Sequence, residues 1–336
     1  MTTLVDEIVA ARNEIEGVSP DAWYERLADK HEQLQADLGA LREHDAARGL
    51  LVVGIVWPYW VARGHLAEGR AWLTDLLAGT PDRPVTYERT KALYGAGVLA
   101  FLQGDAHAAG PLLEDSLGAA RRLGEQRLEA DALIGLARLA IVERDPVRME
   151  QRARESAQAA EAGSDERRLA TALHHVAEAL RRQRRFDEAL PVYREAIERH
   201  RSLGDRRSVA LELHNLGHAA RQMGDSATAA QRFRESLALA VEVKHERLVG
   251  YCLLDFAGLA VDDGQADSAA WLVGASDALF AAIGAAHDPE YEEERESVRD
   301  AAERALGQEA FESEYEAGSA VAREPERLDR LRDAVS

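Results

Sequence analysis

The stretches VAEALRRQRRFDEALPVYREA (176–196) and LGHAARQMGDSATAAQRFRES (216–236) decide the fold, because they are two copies of one pattern set 40 residues apart. The same offset runs through most of the chain without a gap. One position holds Val53, Leu93, Leu133, Leu173, Leu213 and Leu253, and three residues on come Val56, Ala96, Leu136, Val176, Leu216 and Phe256. A mostly small position follows at Gly97, Ala137, Ala177, Gly217 and Ala257. A stop position lies at Gly104, Arg144, Arg184, Gly224 and Gly264, and a close-approach position at Ala109, Met149, Ala189, Ala229 and Ala269. Apolar residues recur at i, i+3, i+4 and i+7 on both sides of each stop, so each unit reads as a helical hairpin. A lone hairpin cannot bury its apolar face, and stacked neighbours can.

The pattern of a Leu-Gly pair, a stop and then an Asp-Glu-Ala or aromatic cluster resembles the tetratricopeptide repeat, most clearly in RRFDEALPVYREAIE and LGHAARQMGDSATAAQRF. The resemblance implies an all-α solenoid, a right-handed superhelix of hairpins. The usual period of that family is about 34 residues, so a period of 40 calls for longer helices or loops. Six repeats are expected over 49–286, with capping helices at 1–48 and 287–336.

VWPYWVARGHLAEGRAWL (56–73) looks like a catalytic cluster, with three Trp and His65 among Arg63, Glu68 and Arg70. The register places it one period upstream of the other copies. Trp57 takes the small position, Gly64 the turn and Gly69 the close approach. The stretch is therefore expected to pack rather than react. Pro58 disturbs the helix near residue 54, where a Gly relieves the crowding. His65 is expected at the turn, facing solvent or capping the next helix.

Composition narrows the function. The formal net charge of −19 argues against a nucleic-acid surface, and no apolar run is long enough to span a membrane. A single cysteine, Cys252, excludes an intramolecular disulfide and is expected as a buried small side chain. The acidic, amphipathic start is unlike a signal peptide, so the sequence predicts a soluble, cytoplasmic chain. The run EYEEERE (290–296) reads as a solvated helix face.

A narrower resemblance rests on WYERLADKHEQLQADLGAL (23–41), WPYWVARGHLAEGRAWLTDLLA (57–78) and the C-terminal AAWLVGASDALFAAIGA and ALGQEAFESEYEAG. These are similar to the C-terminal sensor region of large actinobacterial transcriptional regulators of the LuxR and SARP types. That likeness implies a sensor or interaction module. The chain has no phosphate-binding loop of the form GxxxxGK[ST], and the repeats leave no room for a DNA-binding domain, so either an excised or free-standing sensor module or a scaffold recruited for another function is expected.

In such arrays the first helices line a concave groove. The register assigns to it Tyr94 and Phe101, then Arg138, then His174, Glu178 and Arg181, then His214, His218 and Arg221, and finally Tyr251. His174/Glu178 and His214/His218 are i, i+4 pairs at equivalent positions, so they are expected to converge. Three readings follow. The set is a hydrated wall holding repeats together, or an anion site in which arginine forks grip carboxylate or phosphate. The third is a zinc- or iron-type metal site. Arg127, Arg167, Arg207 and Arg247 recur every 40 residues and are expected to pair between repeats.

The leading functional expectation is a non-enzymatic regulatory module without a cofactor. Its partner would be a peptide, protein segment or anionic small molecule held in the groove. The rival is an enzyme or ligand-binding protein of a specialised-metabolite pathway using the His/Glu/Arg pocket. A purely structural interaction protein, forming a homodimer through an apolar end of the stack, is a third class.

Overall fold

The computed structural model describes residues 3–15, 21–80, 84–285, 289–324 and 326–335. Among them there are 19 helices and no strand, which makes the chain an all-α tetratricopeptide-like solenoid. The start of the C-terminal cap at His287 and Asp288 lies outside the described residues. No helix is long and apolar enough to cross a membrane. The chain divides into two compact units, Met1–Gln183 and Arg184–Ser336.

The first unit begins with α1 (Leu4–Ala10), α2 (Arg12–Ile15), α3 (Asp21–Asp29) and α4 (His31–His44). Leu27, Leu34 and Leu38 are the buried side chains of α3 and α4, with Trp23 and Leu41 partly buried. Then come α5 (Ala46–Ala62), α6 (Leu66–Ala78), α7 (Tyr87–Leu102), α8 (Ala106–Leu123), α9 (Gln126–Val142), α10 (Pro146–Ala162) and α11 (Glu166–Arg182). The second unit holds α12 (Phe186–Ser202), α13 (Arg206–Gln222), α14 (Ser226–Glu242), α15 (Glu246–Asp262), α16 (Ala266–Ala282), α17 (Pro289–Leu306), α18 (Gln308–Ala322) and α19 (Arg327–Asp333).

From α9 to α16 every helix has 17 residues. The cause is a left-handed residue every 20 positions from Gly104 to Gly284. Gly104, Arg144, Arg184, Gly224 and Gly264 have positive φ, and so do Gly124, Ser164, Gly204, Lys244 and Gly284 halfway between. Gly64 takes the same conformation one period upstream of Gly104. A left-handed residue ends an α-helix, because it turns the next amide away from the helical ladder. Most of the following helices then start at once on an aspartate: Asp105, Asp145, Asp165, Asp205 and Asp225 each accept the amide three residues on. Two 17-residue helices, each with a three-residue turn, account for the period of 40.

Within hairpins, one buried serine ties the second helix to the first. Ser116 Oγ donates to Thr90 O at 3.0 Å and Ser156 to Ala130 O at 3.0 Å. Ser236 donates to Ala210 O at 2.8 Å and Ser276 to Gly250 O at 2.9 Å. Tight crossings are set by glycines: a Cβ on Gly217 would overlap the buried ring of Phe233, and one on Gly97 would lie 2.8 Å from Leu113. Cys252 is buried as expected.

The aromatic stretch at 56–73 is packing. Glu68 of α6 is its hub, accepting Trp60 Nε1–H at 2.9 Å, an amide hydrogen of Gln35, and facing His31 Nε2 at 3.1 Å. Gln35 in turn accepts Trp72 Nε1–H at 2.5 Å. Trp60 and Tyr59 are fully enclosed, and a Cβ on Gly69 would overlap the Trp60 indole. His65 is exposed and makes no side-chain cap bond; it stacks on His31 at 5.0 Å. α5 runs unbroken across Pro58. A Cβ on Gly54 would make only ordinary contact with α7, 3.6 Å from Glu88 O and Lys91 Cβ.

The second unit closes by a change of partner. α18 packs along α16 rather than pairing with α17, and a Cβ on Gly274 or Gly318 would strike the backbone of the opposite helix.

The turn rule has opposite consequences at two equivalent positions. A methyl group placed on Gly224 would meet no atom within 4 Å, so Gly224→Ala costs only backbone strain, about 1 kcal/mol. Arg144→Gly relieves that strain and gives back part of it as chain entropy, for a net gain of about 0.5 kcal/mol. Urea denaturation of the two variants should move the midpoint down for the first and up for the second.

Candidate functional site: two histidine–carboxylate clusters

The His174/Glu178 and His214/His218 pairs read from the sequence each belong to a histidine–carboxylate cluster inside their own unit. In the first unit the cluster sits on α11. His174 Nε2 and His175 Nδ1 each lie 3.8 Å from Glu178 Oε2, while Arg182 holds Glu178 Oε1 at 2.9 to 3.0 Å. Burial works to raise the Glu178 carboxyl, but His175, His174 and Arg182 outweigh it and hold it far below its ordinary value. His175, absent from the sequence reading, is the more buried of the two histidines at 5% exposure. Neither of its ring nitrogens has a hydrogen-bond partner. Burial pushes its imidazole down to about 4, with Arg138 and His174 adding to the shift and Glu178 opposing it.

Upstream in the same unit, α7 presents Tyr94 and Phe101, both partly buried. Tyr94 meets Trp57 edge-on at 5.6 Å, and Gly95 leaves room for that indole. Burial, reinforced by Asp131, raises the Tyr94 phenol, while Arg138 and Arg168 act the other way. Arg168 clamps Asp131 with two bonds of 2.8 Å. Arg138, on α9, is exposed, and its charge is felt by both Tyr94 and His175. Arg181, expected as a groove donor, is instead buried at 7% exposure with its Nε unpaired.

The second unit's cluster joins three helices. His214 and His218 stand one turn apart on α13, with ring centroids 4.6 Å apart. Both direct Nε2 at Asp255 of α15: His214 at 2.6 Å to Oδ2 and His218 at 3.3 Å to Oδ1. Tyr291 of α17 brings its hydroxyl to His218 Nε2 at 3.1 Å and stacks on Tyr251 at 3.9 Å. Asp255 is 0% exposed. Burial alone would raise its carboxyl, but His218, His214 and Arg221 hold it below the ordinary range. Arg221 lies across Gly258, where a Cβ would stand 2.5 Å from Nη2, and pairs with Glu294 of α17 and, at 3.6 Å, with Asp262. Burial and the nearby Asp255 raise the Glu294 carboxyl against the pull of Arg221.

These positions revise the groove in this unit. His214 at 1% exposure and Tyr251 at 7% are interior side chains, because Tyr291 and Arg221 close over α15. The run 290–296 is correspondingly not a plain solvated face: Tyr291 and Glu294 turn inward. Asp255 could have been found as the lone charge in the apolar run YCLLDFAGLA, and Tyr291 by extending the register one period beyond Tyr251. Of the periodic arginines, Arg127 reaches Asp165 at 3.2 Å as expected, whereas Arg247 lies against the Tyr251 ring and hydroxyl.

Residues 168–240 match the family model described as tetratricopeptide repeat. No curated protein matches the sequence. Among solved structures the chain is similar to the apo quorum sensor NprR from B. thuringiensis, at 14% identity over 98% of this chain and 97% of that one, with a TM-score of 0.61. NprR in complex with its cognate peptide NprX matches at 15% identity over 98% and 86%, with a TM-score of 0.55. A Rap protein complexed with competence and sporulation factor matches at 15% over 98% and 97%, with a TM-score of 0.59. At such identities the likeness is one of fold.

His175 gives a pH dependence with a definite sign. Its folded value of about 4 lies below the ordinary 6.5, so its contribution is intact above pH 6.5 and is lost as pH falls towards 4. The loss amounts to roughly 3 kcal/mol. In thermal melts between pH 7 and 4, His175→Gln should flatten that decline relative to the unsubstituted chain.

Proposed function

We propose that the chain is a peptide-binding regulatory module, with the ligand seated on the first-helix face of the first unit around Tyr94, Phe101 and Arg138. The observation that carries this reading is the contrast between the two units. In the second, side chains of α13 and α17 already close over α15. In the first, Arg138 is exposed and its charge reaches the partly buried Tyr94, with the partly buried Phe101 two turns further along α7. An exposed guanidinium next to aromatic surface suits a segment bearing a carboxylate and an apolar side chain. Support also comes from the near full-length fold likeness to NprR, which is solved with its cognate peptide, and to a Rap protein solved with competence and sporulation factor. An anionic small molecule would use the same guanidinium. The sequence resemblance to the sensor region of actinobacterial regulators agrees with this role.

Selection from a random peptide library on the immobilised full chain tests the assignment. Selected peptides should bind Arg138→Ala about 10- to 100-fold more weakly, the loss expected for one charge-assisted hydrogen bond. Tyr94→Ala should weaken them as well. Peptides that bind both variants as tightly as the unsubstituted chain would place the site elsewhere, and a selection that enriches nothing would end the peptide reading.

A further inference from the structure

We infer that His214, His218, Asp255 and Tyr291 form a binding site for a zinc-class divalent cation, independent of the peptide site. The four donors come from three helices of one unit. Two imidazoles one turn apart on α13, a carboxylate on α15 and a phenol oxygen on α17 meet around one point. The potential ligand atoms of His214, His218 and Asp255 all lie within 4.8 Å of one another.

Distances favour a small tetrahedral ion. Bonds of about 2.0 to 2.1 Å to nitrogen and oxygen place the ligand atoms of a tetrahedron about 3.3 Å apart. His218 Nε2 stands 3.3 Å from Asp255 Oδ1 and 3.1 Å from the Tyr291 hydroxyl. The 2.6 Å contact of His214 Nε2 with Asp255 Oδ2 is a hydrogen bond. A cation would replace its proton, and the carboxylate would hold the ion through Oδ1, the oxygen already at tetrahedral spacing from His218.

Charge and donor type point the same way. A carboxylate at 0% exposure needs a positive neighbour. Arg221, whose charge also acts on Asp255, is engaged by Glu294 and Asp262. His218 Nε2 faces two oxygens at once, and a single N–H can be directed well at only one of them. A cation there would be held by both Nε2 atoms, one Asp255 oxygen and the Tyr291 oxygen. Two imidazoles, one carboxylate and one phenol suit zinc and its neighbours rather than calcium or magnesium, which take oxygen ligands. A bound ion would clip α13, α15 and α17 together over the Gly258 crossing.

The full chain, stripped with chelator and dialysed, should take up one Zn2+ in calorimetric titration. Co2+ in its place should give the visible bands of a tetrahedral nitrogen–oxygen site. Asp255→Asn and His218→Gln should each weaken Zn2+ by about 100-fold or more and abolish the Co2+ bands. Glu178→Gln, in the other cluster, should change neither. Thermal melts establish that the variants are folded; if Asp255→Asn is not, His218→Gln decides alone. A chain that binds neither metal overturns the inference. So does binding that survives both substitutions, or that is lost with Glu178→Gln.

Discussion

A single backbone constraint sets the geometry of this protein: one left-handed residue every 20 positions from Gly104 to Gly284. Each such residue ends a helix, and a side-chain cap usually begins the next within two residues. Helices of equal length then repeat their side chains at equal heights. That is why the small positions, the serine ties and the first-helix positions all share one period. Where glycine does not occupy the turn, Arg144, Ser164, Arg184 and Lys244 accept the strained conformation. The surrounding hairpin fixes the turn regardless of the residue.

Polar residues placed inside this frame behave according to what surrounds them. Asp255 sits in a helix that is otherwise almost wholly apolar and stays charged because two imidazoles face it. Glu178 stays charged for a similar reason, with Arg182 on its other oxygen. His175 faces the same carboxylate at 3.8 Å without a hydrogen bond, and burial outweighs it and keeps the imidazole neutral. An unpaired group inside a protein is expensive, a paired one much less so. The two clusters thus start from the same i, i+4 spacing and end with different chemistry.

The period, the hairpins and the packing role of the Trp-rich stretch were legible in the sequence, because hydrophobic spacing and glycine placement act locally. The second set of turns, at Gly124, Ser164, Gly204, Lys244 and Gly284, was not read from the sequence, although it holds glycine at three of five positions, as many as the set from Gly104 to Gly264. Burial of His214 and Tyr251 was not legible. It depends on Tyr291 and Arg221 reaching over α15, where Gly258 leaves room for the guanidinium. The choice of carboxylate was hidden for a related reason. Asp255 lies 41 residues from His214, one residue off the period, so strict alignment passes over it.

The buried serines have a consequence for how such a chain can vary. Each tie joins residues 26 apart within one hairpin. Sliding one helix against the other by a single residue would strand the hydroxyl away from its carbonyl, in a place water cannot reach. The hydroxyl is therefore a register mark. A residue inserted into a turn is detected inside its own hairpin rather than passed along the stack, while a whole hairpin, carrying its own mark, can be copied intact. A chain built this way tolerates change in whole repeats and resists it one residue at a time.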